Sequence, residues 1–240
     1  MRRIKTVLKR AVGNAFPATF YGRCAAHAAL QRQFREVFSI PRTEEREGVW
    51  DKLIADVKPS TPVLYLEFGV WQGYSIKYFA QHFTNPESRF VGCDSFYGLP
   101  VEWGDSPAGR FSTEGNIPQT DDARIQFVKG WFQNTFPQVI DIVKAHGAGK
   151  TIIVHFDADI YSATLFLLNE LHKLFDSYEF VFDEFTGEES LALLNYMEAY
   201  GSDVAFHAAC FRYDLPVQVS GRLTTNRGQY EPGFVRTKQA

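Results

Sequence analysis

The 240-residue chain is poor in cysteine: it has three, Cys24, Cys93 and Cys210, and no two of them form a C-x-x-C pair. An odd and scattered set supports neither a disulfide framework nor a thiolate zinc site, and it is the usage expected of a cytoplasmic protein. Long apolar runs are missing too. No stretch approaches the roughly 20 apolar residues of a membrane span, so no span is expected. Positive charge is not in excess, with 25 Lys and Arg against 28 Asp and Glu and a formal net charge of -3, and the pI is about 6.1. Such a balance gives no global field for drawing in nucleic acid, which leaves a small molecule as the expected partner. Internal repeats, low-complexity tracts and Gly/Ser linkers are absent as well. The basic start (Arg2, Arg3, Lys5, Lys9, Arg10) is not followed by a sustained apolar run, because Asn14 and Pro17 interrupt it. It reads as an exposed basic helix rather than a signal peptide.

What is present is a rhythm. From Thr61 onward, short runs rich in Val, Ile, Phe and Tyr alternate with longer amphipathic stretches, the pattern of βαβ units around a parallel sheet. Strands are predicted at Val63–Phe68, 90–93, 125–128, Thr151–Phe156, 179–182, 204–212 and 216–221, and helices at Tyr74–His82, 131–144, 163–175 and 188–199. Only Tyr213-Asp214-Leu215 separates the last two strands, too little for a crossover, so they are expected to form an antiparallel hairpin. The expected fold is therefore α/β: a mostly parallel seven-stranded sheet over 61–240 that ends in an antiparallel hairpin. Residues 1–60 are expected to form a helical extension, with an approximate capping signal at Thr43-Glu44-Glu45-Arg46.

Two segments after the first strands carry chemistry. In Glu67-Phe68-Gly69-Val70-Trp71-Gln72-Gly73-Tyr74-Ser75, an E-x-G-x-x-x-G loop joins an apolar strand to an amphipathic helix. Glycines let backbone approach a ligand, and the following helix offers free N–H donors. The loop lacks both G-K-[ST] and G-x-G-x-x-G, so it is neither a Walker loop nor a dinucleotide fingerprint. Glu67 suits a cationic amine better than a pyrophosphate. A ligand bearing both ammonium and carboxylate, such as the methionine part of S-adenosylmethionine, would satisfy the acid and the helix terminus together. The bland alternative is a tight strand-to-helix turn edged by an acid. Asp94 ends the next strand, where a carboxylate can accept from two ribose hydroxyls.

Further acids follow two later strands: Asp157 and Asp159 after one, Asp183 and Glu184 after the next. Successive strands of a doubly wound sheet are usually neighbours, so these carboxylates should converge at one edge of a pocket. An all-oxygen set favours Mg2+, Mn2+ or Ca2+ over zinc or copper. Helix capping is the competing role, above all for Asp159.

These segments together resemble a known family. His155-Phe156-Asp157-Ala158-Asp159-Ile160-Tyr161-Ser162-Ala163-Thr164 is similar to the L-D-x-D-x-Y-x-S-T segment of the macrocin O-methyltransferase-like family, metal-dependent sugar O-methyltransferases of natural-product pathways. Asp94-Ser95-Phe96-Tyr97-Gly98-Leu99-Pro100 resembles its D-S-F-x-G-L-P, and residues 129–137 its K-G-x-F-x-x-T-L-P. The resemblance runs from Glu67 to Phe185 and implies a Rossmann-like class I methyltransferase fold. It implies S-adenosylmethionine at Glu67, Gly69, Gly73, Ser75, Asp94 and Ser95, with Gly130, Trp131 and Phe132 near the adenine. It further implies Mg2+ or another divalent cation at Asp157, Asp183 and Glu184, with Asp157 also beside the cofactor, and a sugar or glycosylated natural product as acceptor.

Three departures stand out. The family has Asp-Asp where this chain has Asp183-Glu184, and Gly-Gly precedes that strand where this chain has Asp176-Ser177-Tyr178. Catechol-type methyltransferases carry a lysine where this chain has Ile160, which weakens a phenolic reading. A phenolic or polyketide acceptor and a catalytically silent binding module remain the rival expectations. With no lysine at 160, the candidate proton acceptors are His207, then His155 and Asp159. Residues 98–124, including Trp103, Arg110 and Phe111, read as a long lid-like loop, and Arg110 as a candidate reader of a substrate anion. Homo-oligomerisation through the N-terminal helices is a further expectation.

Overall fold

The computed structural model describes residues 18–228, so the basic start and part of the N-terminal extension lie outside the described residues. The elements run α1 (Ala18–Arg32), a 3-10 turn (Arg35–Ser39), β1 (Arg42–Thr43), α2 (Arg46–Val57), β2 (Val63–Phe68), α3 (Tyr74–His82), β3 (Arg89–Asp94) and β4 (Ile125–Lys129). They continue with α4 (Phe132–His146), β5 (Thr151–Phe156), α5 (Tyr161–His172), β6 (Ser177–Phe182), α6 (Glu188–Tyr200), β7 (Asp203–Arg212) and β8 (Leu215–Thr224).

The strands form one sheet in the order β1-β7-β8-β6-β5-β2-β3-β4. From β6 to β4 all neighbours are parallel, and β8 enters antiparallel between β6 and β7. The fold is thus a Rossmann-like, mostly parallel sheet with an antiparallel C-terminal hairpin. β2 lies near the centre and is buried at all six positions, as a strand covered on both faces must be. Its residues alternate between two cores. Leu64, Leu66 and Phe68 pack with α1, α4, α5 and α6, whereas Val63 and Tyr65 pack with α2 and α3. Because β2, β3, β5 and β6 are parallel, the acids at their C-terminal ends emerge along one edge of the sheet.

Two expectations change. Among the described residues the sheet has eight strands rather than seven, because β1, a two-residue segment of the supposedly helical 1–60 region, pairs with β7 through Arg42↔Ala209 and Thr43↔Cys210. Two residues carry no periodicity to read; tertiary pairing alone makes this strand. The approximate capping signal is not used either: the Glu45 N-cap of α2 has extended backbone and no side-chain cap bond, and Thr43 Oγ1 donates to the Glu45 carbonyl at 2.9 Å. The 98–124 segment is tied internally by Leu99 N to Arg110 O (2.9 Å) and Gly109 N to Leu99 O (2.8 Å).

Candidate functional site

A cavity of about 560 Å³ opens at the C-terminal edge of the parallel strands, the position where open α/β sheets place ligands. Its first wall is the loop between β2 and α3. Gly69 has φ +97°, and a Cβ added there would stand 1.8 Å from the Asp157 carbonyl oxygen. Only glycine fits that seam, where the β2 and β5 loops touch. Trp71 takes φ +48°, a sparsely populated conformation for so bulky a residue. Asp94 holds it there: Oδ2 accepts from Val70 N (2.8 Å) and Trp71 N (2.9 Å), and Oδ1 accepts from Phe96 N (2.7 Å).

Gly69, Asp94, Ser95, Gly130, Trp131 and Phe132 all line this side of the cavity. Gly73 (φ +74°) is the N-cap of α3 and stands off the wall. Glu67 and Ser75 also stand behind it: Glu67 is fully buried, with Oε1 accepting from Ser75 Oγ (3.0 Å) and Oε2 from Tyr65 OH (2.5 Å). Burial raises the Glu67 carboxyl to about 7 against the opposing pull of His155, Tyr65 and Ser75.

The second wall carries the acids. Asp157, Asp159, Asp183 and Glu184 all face the same cavity. Burial and then Asp183 push Asp157 well above the carboxylate range. Burial followed by Glu184 raises Asp159 to about 7, and burial with Asp183 does the same for Glu184. Asp183 goes the other way: burial would raise it, but the facing His155 ring, Nε2 3.7 Å from Oδ1, and the donating Gln218 amide outweigh burial and lower it.

As donors, these oxygens suit a hard divalent cation, and the raised values of Asp157, Asp159 and Glu184 mark carboxyls crowded by burial and by neighbouring acids. The arrangement does not close into a ligand set: among the described residues no three His, Cys, Asp or Glu side chains are placed to hold a metal ion.

Neither of the two histidines expected near the chemistry lines the cavity. His155 is fully buried behind the wall, with Nδ1 2.7 Å from Tyr65 OH. His207 sits where the β7–β8 register shifts between Phe206 and Ala208, and Nδ1 faces Glu179 (3.8 Å) and Asp56 (4.0 Å). A bulge re-aims its residue, and His207 is not among those lining the cavity.

Sequence reasoning missed Glu189. It is fully buried and accepts from Ala158 N (3.3 Å) and Glu184 N (3.1 Å), one carboxylate bracing both acid-bearing loops. Its neighbour Glu188 accepts from Tyr161 N at the start of α5 (2.7 Å). The signal existed: Glu189 falls in line with Ala192, Leu193 and Tyr196 on the buried stripe of α6, where a charge needs a reason. Arg46, on α2, was not expected at the cavity either.

No protein-family model and no curated protein matches the chain. Solved structures do resemble it. An O-methyltransferase from Bacillus cereus in complex with SAH is 12% identical over 91% of this chain and 97% of its own, with a TM-score of 0.46. The O-methyltransferase TomG from Streptomyces achromogenes, involved in tomaymycin synthesis and in complex with SAM, is 15% identical over 85% and 89%, TM-score 0.43. A putative O-methyltransferase from Klebsiella pneumoniae is 12% identical over 93% and 96%, TM-score 0.44.

Proposed function

We propose that this chain is an S-adenosylmethionine-dependent O-methyltransferase acting on a hydroxyl of a small molecule, a sugar or glycosylated natural product being the acceptor that its motifs favour. The observation that carries the reading is the Gly69 seam: an acid-locked glycine loop meets Asp157 at the ligand edge of the sheet, within one cavity. The methionine part would lie along the Gly69–Gly73 loop toward Asp157, the ribose at Asp94 and Ser95, and the adenine against Trp131 and Phe132 beside Gly130. Glu67 and Ser75, bonded to each other behind the loop, would hold its shape.

Methyl transfer from a sulfonium to oxygen is an in-line displacement by an already activated electrophile, so the protein's task is alignment and removal of one proton. Alignment falls to the two walls, which bring the methyl donor and the acceptor oxygen into one enclosed space. Asp159 is the acid on the cavity wall assigned to accept the proton, since His155 and His207 lie off it. Asp157, Asp183 and Glu184 would hold a divalent cation only if its binding drew them closer together than they stand here, and the ion would then supply acidification of the bound hydroxyl.

Titration calorimetry of the purified chain with S-adenosylmethionine, with and without Mg2+, tests this reading. Saturable binding to a single site supports it, and absence of cofactor binding under both conditions would overturn it. An acceptor screen of sugars and catechols then separates the sugar reading from the phenolic one.

A further inference from the structure

The cavity is one-sided in charge. Among the described residues five carboxylates face it, Asp94, Asp157, Asp159, Asp183 and Glu184, and one cation, Arg46. Arg46 does not come from the loops assigned to the cofactor. It comes from the first turn of α2, in the N-terminal extension, where a positive charge opposes the helix dipole and so gains nothing from the helix itself. Its guanidinium is steadied by two aromatic faces, 5.3 Å from the Trp50 ring and 5.2 Å from the Tyr74 ring, and Trp50 is fully buried. Stacking of that kind orients the planar fork without consuming its donors.

Its ion pair among the described residues is with Glu47, Nε to Oε1 at 3.6 Å, and that same oxygen accepts from Tyr74 OH at 3.0 Å. Arg46 makes no ion pair with the wall acids, although its charge is near enough to favour ionisation of Asp183. A steadied cation thus lines the same cavity as the acids without pairing with them.

Resting on the methyltransferase reading, we propose that the acceptor carries an anionic group, a carboxylate or a phosphate, and that Arg46 binds it while the acid-bearing wall receives the hydroxyl. Guanidinium recognises both anions through paired donors, so the geometry names the shared chemistry. An acceptor of this class would place its charge at α2 and its hydroxyl at β5 and β6.

The test uses the full chain saturated with S-adenosylhomocysteine and measures binding of matched ligands that differ only in the anion. D-glucose is compared with D-glucuronate and D-glucose 6-phosphate, and catechol with protocatechuate. The expected result is that the anionic member of at least one set binds about tenfold or more tightly than its neutral partner, and that Arg46→Gln removes this preference. Arg46→Lys, which keeps charge but not the fork, should retain part of it. Glucuronate or protocatechuate binding best identifies a carboxylate, glucose 6-phosphate a phosphate. S-adenosylhomocysteine affinity should stay within about twofold in both variants, which separates loss of anion reading from loss of fold. Anionic members that bind no better than neutral ones in either set overturn the proposal, as does a preference that survives Arg46→Gln. Failure of the wild-type chain to bind S-adenosylhomocysteine overturns the methyltransferase reading instead.

Discussion

The two walls of the cavity are built on opposite principles. On the cofactor side, charge is spent on the protein itself: Asp94 takes three backbone N–H groups, and Gly69 allows a contact that no side chain would permit. On the acid side, charge is left over, since Asp157, Asp159 and Glu184 are all raised by burial and then by a neighbouring acid. A wall whose polar groups are satisfied holds its shape without a ligand. A wall with surplus charge is strained until something cationic or protic arrives. Substitutions should therefore have opposite signs on the two sides.

The largest effect is expected at the seam. Gly69→Ala adds a carbon 1.8 Å from backbone oxygen at a positive φ, and neither loop can move away without breaking its strand. We expect a loss of about 4 kcal/mol or more, seen as a collapse of the urea midpoint together with loss of S-adenosylhomocysteine binding. A variant of near wild-type stability would show that the walls are not locked together there. Next comes Asp94→Ala, which strands three N–H groups at the edge of the cavity. Because solvent can reach some of them, about 2 kcal/mol is expected. Cofactor affinity should fall further than stability does.

Much of this frame was legible in the sequence, for reasons that differ by element. Val63–Phe68 and Thr151–Phe156 appear with the expected limits because doubly covered parallel strands read as uninterrupted apolar runs. The hairpin followed from a connection too short for a crossover, and its turn residues Tyr213 and Asp214 both take positive φ. The acids came together because strand order brings β5 beside β6. Other features had no local trace. Nothing in Arg42-Thr43 announces a strand, and Arg46 reaches the cavity only through the docking of α2. His207 lies level with Phe180 and Val181 in the middle of the sheet rather than at its C-terminal edge, a register that pattern reading does not resolve. Glu189 was visible as a carboxylate on an apolar stripe, but its partners lie 31 and 5 residues away.

Behind the cofactor wall lies Glu67, and it tests where the satisfied region ends. Its carboxyl is raised from 4.5 to about 7 in the folded chain, first by burial. The folded state therefore binds a proton that the unfolded state releases, so this group's contribution is fully present below pH 4.5 and is lost as pH rises through about 7. Glu67→Gln mimics the protonated form. It should flatten the decline in stability between pH 5 and pH 8 by about 2 kcal/mol, read from urea unfolding across that window. An unchanged pH profile would mean that Tyr65, Ser75 and His155 already compensate the ionised acid in full.

The smallest effect, opposite in sign to those at Gly69 and Asp94, is expected at Glu184. This partly buried carboxyl is also raised from 4.5 to about 7, by burial and then by Asp183, with Arg212 opposing. Removing its charge should make the unliganded protein more stable at pH 8, by about 1 kcal/mol once solvent screening is allowed for. The gain should vanish at pH 4 and below, where the wild-type group is protonated in both states. Millimolar Mg2+ sharpens the comparison: if the acids hold a cation, it should stabilise the wild type more than Glu184→Gln and so narrow the gap at pH 8. Destabilisation by Glu184→Gln at pH 8 without added metal would break the contrast, since it would place Glu184 among the satisfied groups of the opposite wall.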